Sequence, residues 1–349
     1  MASSRSKKTS RRLRVFIRWS VVLLVLALLV ALLAAMFYGI GKFFDNNDAG
    51  ASTTTQASVA TTTTVTTTTT QPKPTVPTLN ADSLENLLTS ERIIVYNVTY
   101  ETELFSRNAD VLCDPASTTK LMTAILMSKY TQSGQIFTVG DELDMVESGS
   151  SVAGLKEGQQ LTRDQMMDAL MLPSGNDSAY VVAANVGRIL LNDAFSDAEA
   201  AVEAFVAEMN RMAAELGCQS TSFENPDGMT AEGHKTTARD MLKIARMANT
   251  FTEIKTSVAK PAASVEISGT SYYWKNTNEM LRQGPYHFTY ITGMKTGFTT
   301  PAGYCLVASA NRIGEEVIVV VLGGQSSDER FADVYRLLEA AFAYHNNEN

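Results

Sequence analysis

"DPASTTKLMTAIL", residues 114–126, sets a serine and a lysine three positions apart at the mouth of an apolar run. The run repeats its apolar residues at i, i+3 and i+4, which predicts a helix. On a helix Ser117 and Lys120 share a face, so the hydroxyl and the amine can meet. Asp114 and Pro115 suit the start of that helix. A serine in the first turn sits at the positive end of the helix dipole, where an alkoxide or oxyanion is favoured. A lysine held there, and more so beside a second cation, has its pKa lowered, and a neutral lysine can serve a serine as general base.

Working outward, the same spacing recurs at Ser4–Lys7 and Ser257–Lys260, where a capping serine and a solvated lysine explain it equally well. Two further stretches distinguish the copy at 117–120. "MLPSGNDSA" offers Ser174-Gly175-Asn176 in a turn between helical runs, a pattern shared with Ser106-Arg107-Asn108. "GMKTGFTTPAGY" offers Lys295-Thr296-Gly297, the only such triplet, immediately before a pair of strands. Gly297 would let a substrate backbone approach closely.

The ends of the globular part are β-branched. "RIIVYNVTY" (92–100) reads as a strand with a short partner around "ELFS", and "GYCLVASANRIGEEVIVVVLGG" (303–324) as two strands joined at Asn311–Gly314. Between and after them "RDQMMDALM", "SAYVVAANVGRILL", "AEAAVEAFVAEMNRMAAELG", "TARDMLKIARMAN" and "DERFADVYRLLEAAFAYH" carry helical periodicity. Strands from both chain ends with helices between them predict an α+β fold: an antiparallel sheet flanked by helices, with an inserted helical lobe.

Ahead of this part, residues 1–42 hold eight Lys/Arg and no acid, which leaves 21 basic against 37 acidic residues in the rest. So acidic a folded part argues against nucleic acid as a partner. Trp19–Gly41 is uncharged and long enough to span a bilayer, with "LAAMF" the alternative cleavage site of a signal peptide. The basic flank puts the remainder outside. Thr-rich residues 52–78 have no apolar period to bury. The expected order is a cytoplasmic tail (1–18), a transmembrane anchor (19–41), a stalk (42–80) and a globular domain (81–349). Three cysteines and three scattered histidines form no disulfide framework and no helical zinc pair.

S-x-x-K, S-x-N and K-T-G in that order mark the penicillin-recognising serine enzymes. Over roughly residues 91–345 the chain resembles one branch of them, the low-molecular-mass D-alanyl-D-alanine carboxypeptidases of serine peptidase family S11. "PASTTKLMTA", "LPSGNDSA", "TSFENPDGM", "NTNEML", "GMKTGFTTPAGYCLVASANR" and "VVVLGG" carry the resemblance. It implies Ser117 as acylated nucleophile, Lys120 as its base, Ser174 as proton relay and Asn176 as a peptide contact. It further implies positive charge from Lys295, carboxylate binding by Thr296, and an oxyanion hole from the Ser117 and Phe298 N–H groups beside Gly297. Arg330 falls where members often carry an arginine facing the carboxylate, though a surface arginine at a helix start fits it as well. The implied activity is removal of the terminal D-alanine from peptidoglycan stem peptides outside the cytoplasmic membrane. β-Lactams would be covalent inhibitors, and no metal or organic cofactor is implied. Many members add a β-rich domain and a C-terminal membrane helix, whereas here anchoring is read at the N-terminus. A class A β-lactamase would need an E-x-x-L-N-type loop that is absent. Transpeptidase or endopeptidase action uses the same residues, and an idle wall-binding module would need no intact trio.

Overall fold

The computed structural model describes residues 84–343. Five antiparallel strands form the main sheet: β1 (Arg92–Asn97), β2 (Thr102–Arg107), β7 (Ile291–Thr299), β8 (Gly303–Arg312) and β9 (Glu315–Gly324), in the order β2-β1-β9-β8-β7. Strands from the two ends of the chain therefore meet at β1–β9, with Ile94 opposite Val320. Side chains alternate across a strand, and the alternation builds two cores. Ile93, Val95, Val317, Val319 and Val321 pack beneath α7 (Ser327–Phe342) against Phe331, Val334 and Leu337. Ile94, Ile318, Val320 and Leu322 point the other way, into the helical lobe. Each such aliphatic side chain contributes about 2 kcal/mol of hydrophobic stabilisation.

The lobe is built around α1 (Lys120–Tyr130), whose residues from Lys120 to Ser128 are all buried. The sequence reading made α1 an apolar run with helical spacing. It is buried on every side, its polar Lys120, Thr123 and Ser128 included, because helices surround it, as expected of a core helix. Around it stand α2 (Arg163–Met171), α3 (Asn176–Leu191), α4 (Ala198–Glu215), α5 (Ala238–Ala248) and α6 (Thr252–Val258). Polar caps fix where several begin. Thr162 and Gln165 form a capping box on α2, and Asp197, Thr237 and Ser326 accept from the first turns of α4, α5 and α7.

Three features differ from expectation. Two hairpins, β3–β4 (Ile136–Thr138, Gln160–Thr162) and β5–β6 (Ala262–Ile267, Thr270–Lys275), and the short α6 were not anticipated. Lys295-Thr296-Gly297 does not precede the strands but lies within β7, at the edge of the sheet. Asp114 is not a helix cap; its carboxylate binds Lys235, and α1 starts only after a 3-10 turn, Ala116–Thr119. No helix among the described residues is long and apolar enough to cross a membrane. The expected tail (1–18), anchor (19–41) and stalk (42–80) lie outside the described residues.

Candidate active site

Ser117 sits on the 3-10 turn, one step before α1, so its hydroxyl projects at the helix N-terminus while Lys120 is wholly buried. Lys120 Nζ lies 2.9 Å from Ser117 Oγ, 2.7 Å from Asn176 Oδ1 and 2.7 Å from the backbone oxygen of Asp227. The last two partners can only accept. They use the two N–H bonds of a neutral amine and leave its lone pair for the Ser117 hydroxyl. Burial lowers the Lys120 pKa to about 8, with the Asp227 and Asp177 charges acting in the opposite direction. No ion pair among the described residues holds Lys120 charged.

The other Ser-x-x-Lys copy shows the contrast. Ser257 Oγ donates to Asp168 at 2.7 Å, and Lys260 Nζ reaches both oxygens of the same carboxylate at 2.9 and 2.7 Å. Hydroxyl and amine are both committed to Asp168, a tie between α6 and α2. Ser4–Lys7 lies outside the described residues. The second Ser-x-Asn, Ser106–Asn108, is at the outer edge strand β2, where Asn108 Nδ2 donates to Glu91 O at 3.0 Å.

Ser174 occupies the turn between α2 and α3, buried and with left-handed backbone at φ 63°. Ala116, next to the nucleophile, is left-handed too, at φ 47°. Such conformations cost about 1–3 kcal/mol each and persist where the surroundings dictate them. Around Ala116 the constraint is contact: a Cβ on Gly297 would come within 3.0 Å of the Ser117 nitrogen, so β7 runs directly against the nucleophile turn. As an edge strand, β7 turns one row of backbone groups away from β8. Phe298 follows Gly297 and borders the same cleft.

Lys295 is buried, and among the described residues its Nζ makes one hydrogen bond, to the backbone oxygen of Thr296 at 3.0 Å. Burial, then the charges of Lys120 and Arg330, push its pKa far below lysine's ordinary range. Thr296 Oγ1 lies 2.6 Å from Thr277 Oγ1. Arg330, although near the start of α7, is no surface arginine. It is 8% exposed, lies over the Tyr304 and Phe331 rings, and donates to the Gly297 and Cys305 oxygens at 3.1 and 3.4 Å. Ser117, Ser174, Asn176, Thr277, Thr296 and Arg330 all line one cleft of about 580 Å³. Arg330 is the basic residue that lines the cleft, with Lys295 buried close by and Glu147 the acidic lining residue. No ion pair among the described residues engages Arg330, so its end of the cleft suits an anion.

The sequence reading missed two contributors, the Asp227 carbonyl and the Thr277 hydroxyl described above. His234, read from the sequence as a structural or surface residue, has a structural role: its Nδ1 accepts from Glu224 N at 3.0 Å, so Nε2 carries the proton given to Thr119 Oγ1 at 2.9 Å. Burial lowers the His234 pKa to about 4, and this neutral ring ties the nucleophile turn to the 224–229 loop. "NPDG" and "NTN" were the only signals, and neither carries an obvious catalytic side chain. Among the described residues no cluster of His, Cys, Asp and Glu could hold a metal, and all three cysteines are free and buried.

Comparison with known proteins agrees with this geometry. A family model described as Peptidase_S11, D-alanyl-D-alanine carboxypeptidase, matches residues 80–326. D-alanyl-D-alanine carboxypeptidase DacF of Bacillus subtilis is 32% identical over 245 residues, 69% of this chain but 59% of that protein. The chain thus spans about three fifths of that relative. The D-alanyl-D-alanine carboxypeptidase of Streptomyces strain K15 is 34% identical over 252 residues, 69% of this chain and 83% of that one. A crystal structure titled Streptomyces K15 DD-transpeptidase matches with a TM-score of 0.67 and 31% identity, covering 73% of this chain and 98% of that one. The α+β fold with its inserted helical lobe is therefore that of the penicillin-recognising peptidases.

Proposed function

The chain belongs to the D-alanyl-D-alanine carboxypeptidase family S11, and from that premise we propose a serine D-Ala-D-Ala carboxypeptidase that trims peptidoglycan stem pentapeptides and is acylated by β-lactams. The observation that carries this reading is the triple contact of Lys120 Nζ with Ser117 Oγ, Asn176 Oδ1 and Asp227 O. It is the pattern of a neutral base aimed at one hydroxyl.

Ser117 Oγ attacks the carbonyl of the penultimate D-alanine while its proton passes to Lys120 Nζ. The oxyanion forms beside the N–H groups of Ser117 and Phe298, a kind of preorganised donor worth about 3–4 kcal/mol each. The C–N bond breaks as the proton reaches the leaving amine by way of Ser174, giving an acyl-enzyme and free D-alanine. Water, activated in the same manner, then releases the shortened stem. The leaving residue carries a carboxylate, and Thr296 with Thr277, backed by the charges of Lys295 and Arg330, suits it. Binding that anion also relieves the crowding of positive charge that disfavours the Lys295 ammonium.

Incubating the protein with a stem pentapeptide and following the products by mass spectrometry tests this. Release of one D-alanine is expected, and an intact peptide together with no penicillin adduct on Ser117 would refute the reading. A second reading, transfer to an amine, is favoured by the naming of a solved relative as a transpeptidase; a cross-linked dimer in the same spectrum would reveal it.

The uncharged run Trp19–Gly41 after a basic tail supports a single-pass anchor with the enzyme outside the membrane. The Thr-rich stretch 52–78 would then give reach into the wall. Deleting it should leave turnover of soluble peptide unchanged and reduce processing of intact wall. Equal wall processing, or a mature N-terminus after Ala35, would count against the anchor and stalk.

A further inference from the structure

Asp227 holds the base through its backbone, which leaves its side chain unaccounted for. The residue is 1% exposed and does not line the cleft. Its Oδ1 accepts from Met229 N at 3.0 Å, whereas Oδ2 is buried without a hydrogen-bond partner, and no ion pair among the described residues engages the carboxylate. Burying a carboxylate so poorly paired costs stability.

The shape of the 225–229 loop does not require that charge. The Asn225 amide spans the loop, accepting from Gly228 N and donating to Met229 O at 2.8 Å each. Two successive carbonyls then seat the loop on α1. Pro226 O accepts from Thr123 Oγ1 at 2.6 Å, and Asp227 O from Lys120 Nζ at 2.7 Å. The bonds within one residue keep the Asp227 carboxylate within about 5 Å of its own backbone oxygen, and hence within about 8 Å of the amine. A direct ion pair would fix Lys120 as an ammonium. A negative charge one step back leaves the lone pair aimed at Ser117 Oγ, 2.9 Å away.

The titratable groups that face Lys120 are Asp227 from this loop, Asp177 from α3, Lys295 from β7 and His234 from the segment after the loop. The Asp177 carboxylate is committed to four backbone N–H groups, and the His234 ring is neutral. Asp227 is therefore the less engaged of the two anions. It is also the one that acts more strongly on Lys120 against the lowering by burial. The same charge reaches Tyr180, one turn beyond Asn176 on α3, whose hydroxyl burial and then Asp227 push up to about 12.

As Ser117 Oγ bonds to the substrate carbonyl carbon, its proton moves onto the Nζ lone pair and Lys120 becomes a buried ammonium. We propose that Asp227 is a positioning residue whose carboxylate stabilises the Lys120 ammonium formed as Ser117 is acylated. The proposal rests on the carboxypeptidase reading above, in which Lys120 is the base.

The test is the pH dependence of acylation by a labelled penicillin, using the full-length protein and the variants Asp227→Asn, Asp227→Ser and Asp227→Glu. Asn and Ser keep an acceptor for Met229 N and remove the charge, whereas Glu retains it. In Asp227→Asn the midpoint should fall from about 8 to about 7. The plateau above it should drop about threefold or more, since a weaker base takes the proton. The rise in rate from pH 6 to the plateau then shrinks from about 100-fold to about tenfold. Asp227→Ser should repeat the shift, which keeps the test open if the amide variant does not fold. Asp227→Glu should keep the midpoint near 8. Thermal unfolding at pH 9, where Lys120 is neutral, should come no earlier in Asp227→Asn than in the wild type. A midpoint unmoved in the uncharged variants, or moved equally in Asp227→Glu, overturns the role of the charge. Earlier unfolding with an unmoved midpoint makes Asp227 a structural residue only. No penicillin adduct on wild-type Ser117 overturns the carboxypeptidase reading itself.

Discussion

Replacing Gly228 with alanine should slow acylation of Ser117 by displacing the nucleophile turn, although Gly228 does not line the cleft. Gly228 holds φ +93°, and a Cβ there would stand 1.9 Å from the Ala116 oxygen, 2.4 Å from its carbonyl carbon and 2.9 Å from the Ser117 nitrogen. Contacts below 3.0 Å are essentially never seen, so one backbone segment must retreat by about 1 Å. Both candidates for movement belong to the site. The 116–117 backbone carries the nucleophile, and the 227–228 backbone carries the carbonyl that holds Lys120 Nζ at 2.7 Å. A misplacement of about 1 Å costs on the order of 100-fold in rate. The assay is the second-order rate constant for acylation by a labelled penicillin, with thermal unfolding alongside. Gly134→Ala separates the two penalties. Gly134 is also left-handed, at φ +87°, with nothing within 4 Å of the added methyl. It should lose about 1 kcal/mol, or roughly 2–4 °C in Tm, with acylation intact. If Gly228→Ala acylates within threefold of the wild type, the contact between the 228 turn and the nucleophile turn does not control the site.

Three other outcomes follow from the same geometry. Ser117→Ala should abolish penicillin labelling, whereas Ser257→Ala should label normally and lose stability through its bond to Asp168; labelling that survives in Ser117→Ala would refute the assignment. Acylation needs Lys120 neutral, and burial lowers its pKa to about 8. The rate should therefore rise about tenfold from pH 6 to 7 and flatten above 8, while Lys120→Arg should lose acylation, since a guanidinium does not deprotonate. A flat profile from pH 6 to 9 would assign the proton to another group. Asp177 accepts from the backbone nitrogens of Ala153, Gly154, Leu155 and Ser178 at 2.8–2.9 Å, pinning the loop behind the rim of the cleft. Asp177→Ala should lose about 3 kcal/mol in urea unfolding and speed hydrogen exchange at 153–155; unchanged exchange there would show that the loop is held by other contacts.

The sequence by itself determined the sheet-forming ends of the chain, the long helices and the three motifs, because each is a local pattern. Apolar β-branched runs mark β1, β8 and β9, and helical periodicity marks α3, α4 and α5. Ser117 and Lys120 are one helical turn apart, so their meeting needed no tertiary information. Short elements such as α6 and the three-residue strands β3 and β4 escaped because so few residues show no period, whereas the β5–β6 hairpin carries β-branched and aromatic residues about a Ser-Gly turn and was legible but passed over. β7 escaped because its Gly-Met-Lys-Thr-Gly run has little strand propensity, and pairing with β8 makes the strand.

What only the tertiary structure decided is which chemistry the side chains can perform. Ser117–Lys120 and Ser257–Lys260 are alike as text. They differ because Asp168, 89 residues before Ser257, takes up the second pair, while a carbonyl 107 residues beyond Lys120 and an amide 56 beyond it leave the first amine an open lone pair. Arg330 was ambiguous in sequence because burial is a property of the packed whole. Asp227 acts on Lys120 through a backbone oxygen, a group every residue possesses. No side-chain pattern can announce such a contact; only folding brings that oxygen within 2.7 Å of the amine.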